Sequence, residues 1–362
     1  MSGRAFVATV YQMVYRASPH DRDVADGRDA ATRDRGPRHR CDRVAQNADV
    51  YRIASEVVTD ARAIAARDVD GAIALIESQR ARFPQGAGFI YLAEAQLLAA
   101  AGRGADALGP LERALASGCR YRKEWLTADP ALAPLGELPG FAELVARSDR
   151  AYQEATAAAK PHLTFAVPDT LPDAFGYPLL MVLHGNNSNM KETAPHWASM
   201  ADKGWVVAVP QSTEVGMSPD TYTWNDREET AKQLDLQLER VKRASEIDAS
   251  RIIIAGFSMG GLQAIALTLT KRIKARGFIA VAAWLPHIRE FTTLVEGGAG
   301  KMLRAYVLVG EEDASREGAA ALVDLFTSHK LKAQLDLRAG LGHEYPEDMA
   351  ETLPKALEFV TT

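Results

Sequence analysis

Hydrophobic and polar positions follow three different patterns along the 362 residues of the chain. Up to about residue 46 the sequence is rich in Arg and Asp and has almost no aliphatic side chains after Val14. Such a stretch buries too little apolar surface to offset its chain entropy. We therefore predict that residues 1–46 are a disordered extension, or one produced by a misplaced start codon. A basic arm that binds an acidic partner is the alternative, which the interleaved Asp residues weaken.

The second pattern, from about residue 47 to 160, predicts helices throughout. Ala and Leu recur at three- and four-residue spacings, and strand-like β-branched runs are missing. Residues 65–78 and 100–113 echo each other at an offset of about 35 residues, and a turn precedes Ala72 in one copy and Ala107 in the other. The segment resembles a tetratricopeptide-like array without that family's full Trp-Leu-Gly-Tyr pattern. We expect either a ligand-free helical cap or a surface that binds a protein partner or a second copy of the chain.

The third pattern, from about residue 161 to the end, alternates short apolar runs with helical stretches. This alternation is typical of an α/β domain with a doubly wound, mostly parallel sheet. The predicted strands are 163–167, 178–184, 205–210, 251–256, 277–283, 304–310 and 333–339. The predicted helices are 192–203, 227–246, 259–273, 315–329 and 347–361. Asp226 and Glu229 have the spacing of a capping box at the start of the second of these helices.

The sharpest chemical signal is the sequence RIIIAGFSMGG at residues 251–261. It places Gly256-x-Ser258-x-Gly260 after a buried-type strand and before a helical run, which is the context of the nucleophile elbow of α/β-hydrolases. Glycines two residues on either side of the serine let strand and helix approach without Cβ clashes. The backbone N–H of Met259, close to a helix N-terminus, would then point at a developing oxyanion. Ser258 is therefore the predicted nucleophile.

A serine hydroxyl needs a nearby base to accept its proton, and in this fold an acid and then a histidine follow the serine along the chain. His343 lies just past the last predicted strand, where Gly340 and Gly342 let the loop turn inward. His329 lies near the end of a predicted surface helix, where a solvated histidine is the ordinary outcome. We predict that His343 is the general base and acid.

The acidic partner is predicted from the sequence that follows the strand 304–310. Three carboxylates come after Gly310, and Asp313 stands where the turn can aim a short side chain back at the imidazole. Asp313 would hold the imidazole tautomer and stabilise the imidazolium without taking the proton. Glu312 is the alternative.

A second oxyanion donor is expected from the loop after the third strand of such a fold, which corresponds here to residues 183–188. Gly185 permits close backbone approach, and the N–H of Asn186 is the candidate donor. An Asn-rich surface turn suits the composition of this loop but not its position.

These motifs resemble those of the phospholipase/carboxylesterase family, which includes the acyl-protein thioesterases. The matching motifs are HGNNSN, GFSMGG, the GxxD acid, the GH base, TYTWND (221–226) and AAWLP (282–286), and the resemblance spans about residues 165–360. It implies an α/β-hydrolase fold and an esterase or thioesterase reaction without a cofactor. Met259 departs from the glutamine usual in that family. Because a backbone N–H acts at this position, the change concerns substrate choice more than catalysis.

The substrate pocket is predicted from apolar residues near the carboxyl ends of strands. The candidates are Trp224, Trp284 and Leu285, flanked by Pro286 and Ile288. Core packing of Trp284 is the alternative. His184, His196 and His287 lack a metal-ligand spacing with nearby carboxylates, so no metal site is predicted.

Composition and charge exclude several function classes. A net charge of −5 and a pI near 6.0 argue against a nucleic-acid or anionic-membrane partner. Two cysteines, Cys41 and Cys119, cannot form a disulfide framework, which favours a cytoplasmic location. No apolar run reaches the roughly 20 residues of a spanning helix. The patch 5–14 lacks a small-x-small cleavage site, so no signal peptide is expected.

Together these patterns predict a disordered 1–46, a helical domain at 47–160 and an α/β-hydrolase domain at 161–362. The predicted function is a serine carboxylic-ester hydrolase acting on a small or medium acyl ester. Alternatives with the same triad are a thioesterase, a lysophospholipase, an acyltransferase or a peptidase. A non-catalytic protein that binds a partner through its helical repeats is a further alternative, as is homodimerisation through the same domain.

Overall fold

The computed structural model describes Tyr51 and residues 53–362. The predicted disordered extension 1–46 lies outside these residues. The described chain folds into two compact units. The first contains residues up to Glu154 together with Met217–Pro219, and the second contains Ala155–Gly216 and Asp220–Thr362. Within this described part, no helix has both the length and the apolar surface needed to cross a bilayer.

The first unit is built from helices. They are α1 (Ala54–Ala65), α2 (Val69–Arg80), α3 (Ala87–Ala100), α4 (Gly104–Ala116), α5 (Lys123–Thr127), a 3₁₀ turn at Ala133–Leu135, and α6 (Phe141–Ala158), which ends just beyond it. Helix α1 packs on α2, and α3 packs on α4. Ala72 of α2 and Ala107 of α4, the small residues of the internal echo, are fully buried. The tetratricopeptide-like character of the unit stays a prediction.

The second unit alternates strands and helices. Its strands are β1 (Leu163–Ala166), β2 (Tyr177–Leu183), β3 (Val206–Pro210), β4 (Glu214–Val215), β5 (Tyr222–Thr223), β6 (Ile247–Phe257), β7 (Gly277–Val281), β8 (Arg304–Gly310) and β9 (Lys332–Arg338). Its helices are α7 (Met190–Thr193), 3₁₀ turns at Ala194–His196 and Ala198–Lys203, α8 (Arg227–Ala244), α9 (Met259–Leu269), α10 (Arg289–Glu296), α11 (Arg316–Ser328) and α12 (Met349–Thr361).

The main sheet has the order β1-β3-β2-β6-β7-β8-β9. Only β1 among these strands runs antiparallel to its neighbour, so the described sheet is mostly parallel, as expected for an α/β-hydrolase. Strands β4 and β5 form a separate small hairpin. The register pairs Leu183 with Gly256 and Phe257 with Val281. The loops that leave β2, β6 and β7 therefore begin at the same edge of the sheet.

The sheet of the second unit is buried on both faces because side chains alternate along each strand. On β7, Phe278 and Ala280 pack into the core with α9 and α11, whereas Ile279 and Val281 pack into the core with α12. All four are essentially inaccessible to solvent. This double burial explains the continuous apolar runs that the sequence shows in its parallel strands.

Apart from shifted element ends, the second unit differs from the predicted elements in three places. The predicted helix 192–203 is a short α7 followed by 3₁₀ turns, since Pro195 interrupts regular helical hydrogen bonding. Helix α10 was not predicted, because only Phe291 and Val295 mark its buried face. The hairpin of β4 and β5 was also missed, because two-residue strands are too short to show a period.

Candidate active site

The predicted nucleophile elbow joins strand β6 directly to helix α9. Ser258 lies between them with φ 54° and ψ −119°, a conformation that an L-residue rarely adopts. Its N–H donates to the Val281 carbonyl at 3.0 Å, and its own carbonyl accepts from Trp284 N–H at 3.0 Å. These bonds to the neighbouring strand and its following loop hold the strained turn in place.

Two glycines make this turn sterically possible. A Cβ at Gly256 would lie 2.4 Å from the carbonyl carbon and oxygen of Gly260. A Cβ at Gly260 would lie 2.4 Å from the carbonyl oxygen of His184, in the loop after β2. Real Cβ atoms do not approach backbone so closely, so any side chain at either position would push strand, helix and loop apart. The spacing seen in the sequence is therefore required by backbone packing.

The structure brings Ser258, His343 and Asp313 into one chain of hydrogen bonds. His343 Nε2 lies 2.9 Å from Ser258 Oγ, and His343 Nδ1 lies 2.8 Å from Asp313 Oδ2. Because a carboxylate only accepts, Nδ1 carries the hydrogen and Nε2 of the neutral ring is free to accept the serine proton. The Asp313 side chain is 1% exposed, and its Oδ1 accepts the Ser315 N–H at 2.7 Å.

The two alternative residues lie elsewhere. Glu312 is exposed, and the hydrogen bond at this residue is a backbone one, from its N–H to the Leu341 carbonyl at 3.0 Å. His329 follows the last turn of α11, where Nδ1 bonds the Leu325 carbonyl at 2.9 Å. Neither side chain is among the hydrogen-bond partners of Ser258 or His343.

An aromatic row supports the loop that carries His343. The Phe257 ring lies 5.1 Å from the His343 ring and stacks on Tyr345 at 4.5 Å. Tyr345 stacks in turn on His196 at 3.9 Å and accepts a hydrogen bond from Trp197 Nε1 at 3.3 Å. Burial raises the pKa of the Tyr345 hydroxyl. These residues were not singled out for the site, since nothing in the linear sequence links residues 196–197 to the loop after β9.

The two predicted oxyanion donors belong to segments next to Ser258. Met259 is the first residue of α9, so its N–H is one of those without an acceptor inside the helix. Gly185 lies close enough to the elbow that a Cβ there would be 3.5 Å from Ser258 Cβ. The peptide that joins Gly185 to Asn186 therefore passes beside the serine.

The Asn186 side chain anchors its loop to the segment before α8. Asn186 Oδ1 accepts from Trp224 N–H, and Asn186 Nδ2 donates to Asn225 Oδ1, both at 2.9 Å. Asn225 is held by Glu214, whose carboxylate accepts the N–H groups of Asn225 and Asp226, also at 2.9 Å. Burial raises the pKa of Glu214. Only the TYTWND resemblance pointed to this segment, and Glu214 carried no signal in the sequence.

The predicted pocket residues separate into two environments. Trp224 has no exposed surface, and its ring packs against His184 with centroids 4.9 Å apart. Leu285 is 2% exposed and belongs to the core with α9 and α11. Trp284 is half-buried and immediately follows Ala283, in the loop after β7. Of these three, only Trp284 has accessible surface to offer a substrate, because the other two side chains are used in packing.

No group of three or more His, Cys, Asp or Glu side chains in the described chain has the arrangement of a metal site.

Comparisons with known proteins show what part of the chain is similar to. Residues 215–361 match the model of the phospholipase/carboxylesterase family. A bifunctional acetylxylan esterase/xylanase of Neocallimastix patriciarum is 36% identical over 89 residues, which are 24% of this chain. The chain spans 12% of the length of that relative.

Solved structures that the chain matches include an uncharacterized protein from Bacillus cereus. It is 24% identical, with 85% of this chain and 99% of that chain covered at a TM-score of 0.47. Esterase PE8 is 18% identical, with 56% of this chain and 99% of that chain covered at a TM-score of 0.47. By its sheet, its elbow and the matched residues 215–361, the second unit is an α/β-hydrolase that resembles the phospholipase/carboxylesterase family.

Proposed function

We propose that this protein is a serine carboxylic-ester hydrolase with Ser258 as nucleophile, His343 as general base and acid, and Asp313 as the residue that orients His343. The observation that carries the proposal is the unbroken set of hydrogen bonds from Ser258 through His343 to Asp313. A hydroxyl, an imidazole and a buried carboxylate in this order activate a serine for acyl transfer.

In the first half of the reaction, Ser258 Oγ attacks the ester carbonyl while His343 Nε2 takes its proton. The carbonyl oxygen becomes an oxyanion, which the N–H groups of Met259 and Asn186 stabilise. Each such donor lowers the barrier by about 3 kcal/mol in comparable sites. Asp313 stabilises the imidazolium through the Nδ1–H bond without accepting its proton.

Collapse of the tetrahedral intermediate expels the alcohol, which receives the proton from His343. The acyl group remains on Ser258 as an ester. A water molecule then attacks this ester, His343 takes a proton from the water, and the same two N–H groups stabilise the second oxyanion. The carboxylic acid leaves and the serine regains its proton. Every proton transfer in this proposed reaction passes through His343, and the steps use no cofactor.

The substrate class we propose is a small or medium acyl ester. The acetylxylan esterase named among the relatives acts, by its name, on a short acyl ester, and the family description names carboxylesterases and phospholipases. A thioesterase or lysophospholipase would use the same triad. Comparison of kcat/KM for oxygen and sulfur esters of matched acyl chains from acetyl to octanoyl separates these alternatives.

The decisive test replaces the nucleophile. Ser258→Ala should abolish turnover of p-nitrophenyl acetate and butyrate and labelling by a fluorophosphonate probe, because Ser258 Oγ is the hydroxyl bonded to His343 Nε2. Ser328→Ala, at the exposed end of α11, is the matched control and should retain both signals. Labelling that persists in Ser258→Ala would refute the assignment. A wild-type protein that neither labels nor turns over any ester would favour the non-catalytic, partner-binding alternative.

For the helical unit, we propose either association with a protein partner or homodimerisation, alongside the simpler role of a cap. Sedimentation velocity of the full chain over a hundredfold concentration range tests homodimerisation, since the sedimentation coefficient of a reversible dimer rises with concentration. The cytoplasmic location expected from the cysteine content also stays a proposal.

A further inference from the structure

His184 is a fully buried histidine next to the nucleophile that the reaction scheme does not use. It directly follows β2, and its carbonyl oxygen faces Gly260 of the elbow. A buried imidazole is costly unless both ring nitrogens are hydrogen-bonded. The partners of its two nitrogens therefore show what the protein uses the ring for.

The surroundings select one tautomer of His184. Nδ1 lies 2.8 Å from the carbonyl oxygen of Gly185, which can only accept, so Nδ1 carries the hydrogen. Nε2 lies 3.3 Å from the Ser212 N–H and 3.1 Å from Gln211 Nε2, so it accepts. A second proton at Nε2 would face these two donors in a site without solvent. The burial of the ring lowers its pKa to about 4.

The bond from His184 acts on the peptide that contains the proposed oxyanion donor. The Gly185 carbonyl and the Asn186 N–H belong to the same planar trans peptide, so they point in opposite directions. A donor that fixes the carbonyl on one side of the loop fixes the N–H on the other side. The Gly185 end of this peptide lies beside Ser258.

Other hydrogen bonds anchor the rest of this loop, and they leave the Asn186 N–H without an acceptor. The Asn187 N–H donates to the Tyr222 carbonyl at 2.9 Å, and the Asn186 side chain is bonded to Trp224 and Asn225. Among the hydrogen bonds of the described chain, none uses the Asn186 N–H as donor. A backbone N–H left without an acceptor in a loop that is otherwise anchored is what an oxyanion hole requires before substrate binds.

We propose that His184 is a positioning residue of the oxyanion hole: its Nδ1–H holds the Gly185 carbonyl and thereby aims the Asn186 N–H at the reacting carbonyl. The proposal rests on the ester-hydrolase function proposed above. His184 does not touch the substrate, and its effect on the reaction passes through one peptide plane.

Two substitutions separate this role from a purely structural one. In His184→Asn, the side-chain Nδ2 is attached to Cγ as Nδ1 is, so it keeps the bond to Gly185 but loses the acceptor for Ser212 and Gln211. In His184→Gln, the longer side chain places an oxygen near the former Nε2 and loses the donor to Gly185. We expect His184→Asn to keep kcat within about threefold of wild type, whereas His184→Gln loses about 10- to 100-fold, less than the roughly 100- to 1000-fold loss on deleting one oxyanion donor outright.

The readouts are kcat and KM for p-nitrophenyl acetate, the inhibition constant of a trifluoromethyl ketone, and the unfolding midpoint of each variant. For His184→Gln we expect the loss in kcat with KM little changed, together with a parallel rise in the inhibition constant, because the ketone forms a tetrahedral oxyanion adduct with the serine. Val307→Ala, which truncates a buried core residue of β8 away from the loop, is the control for lost stability. It should lower the midpoint without changing kcat or the inhibition constant.

The proposal would be overturned if kcat fell in proportion to the unfolding midpoint across the three variants. A His184→Gln protein that is folded and fully active would also overturn it. If wild type shows no turnover and no adduct with the ketone, the proposed function itself fails, and that outcome is separate from the comparison between the two His184 variants.

Discussion

At the scale of single residues, the site depends on buried groups whose hydrogen-bond partners are set by their surroundings. Asp313 is buried and bonded on both carboxylate oxygens, to His343 and to the Ser315 N–H. His184 is buried and neutral because a carbonyl and two N–H donors surround its ring. Glu214 is buried beneath the segment that holds Asn186. Each group therefore has a fixed hydrogen-bonding role before any substrate binds.

The low pKa of His184 predicts a loss of stability in mild acid. The pKa of the folded state is about 4, against 6.5 for a free histidine, so the unfolded chain binds a proton that the folded chain excludes between these values. Stability is therefore fully present above pH 6.5 and decreases as pH falls toward 4, by up to about 3 kcal/mol. Urea unfolding of wild type and His184→Asn at pH 7.0, 5.5 and 4.5 measures this slope.

Other groups also titrate between pH 4.5 and 7.0, but wild type and His184→Asn have them in common. The raised pKa of Glu214 acts in the opposite sense, since its protonated form is favoured in the folded state. The difference between wild type and His184→Asn cancels such contributions. We expect that difference to shrink as pH falls, and a constant difference across the range would contradict the prediction.

At the scale of elements, the segment before helix α8 links the helix start to the loop that carries Asn186. Asp226 Oδ1 accepts the Glu229 N–H at 3.0 Å, which is the first half of the capping box that the sequence indicated. The second half is different: the Asp226 N–H donates to Glu214 Oε1 at 2.9 Å, while Glu229 contacts Gln233. The carboxylate of Glu214 therefore replaces the local partner and ties the helix start to the β4–β5 hairpin.

Removal of the cap at this helix should cost stability. Asp226→Ala should lower the free energy of unfolding by about 1 kcal/mol, because the Glu229 N–H loses its acceptor and a helix start loses a negative charge. Asp226→Asn keeps the acceptor and is the matched control, with a smaller loss expected. Chemical denaturation of the two variants makes the comparison. Equal losses would show that the charge, and not the cap bond, carries the effect.

At the scale of the whole molecule, the parallel sheet of the second unit assembles the site. Ser258, Asp313 and His343 are far apart in the sequence but follow strands β6, β8 and β9, and all of these strands end at one edge of the sheet. The register pairs Gly310 at the end of β8 with Arg338 at the end of β9. The loops that carry Asp313 and His343 therefore leave the sheet side by side, as ligand and catalytic loops do in open α/β sheets.

The two cores that flank this sheet predict where truncation is most costly. Phe278 of β7 has no exposed surface and packs edge-on against Phe326 of α11, with centroids 5.9 Å apart. Phe278→Ala should lower the free energy of unfolding by about 3–5 kcal/mol, through lost burial and the cavity left behind. Leu236→Ala on α8, where the side chain is 45% exposed, should cost less than about 1 kcal/mol. Similar losses of unfolding free energy for the two variants would contradict this prediction, and would show that the core relaxes to fill the space of the missing ring.

Much of the candidate site could be predicted from the sequence because its features are local. The turn at Ser258 needs glycines at fixed spacing between a strand and a helix, so three positions within five residues carry the signal. The choice of His343 over His329 followed from its glycine-rich loop beyond the last strand. These arguments use only residues that are close along the chain, together with the strands and helices that the hydrophobic periodicity predicts.

The tertiary structure alone decided the rest, because it depends on contacts between distant segments. The hydrogen bonds of His184 to Ser212 and of Glu214 to Asp226 join segments with no shared pattern. Burial of Trp224 and Leu285 in place of an open pocket wall depends on the volume that neighbouring elements leave, which no sequence period encodes. Short sequence motifs thus predict the candidate reacting groups. The hydrogen bonds that hold the surrounding loops in place form only when distant segments pack together.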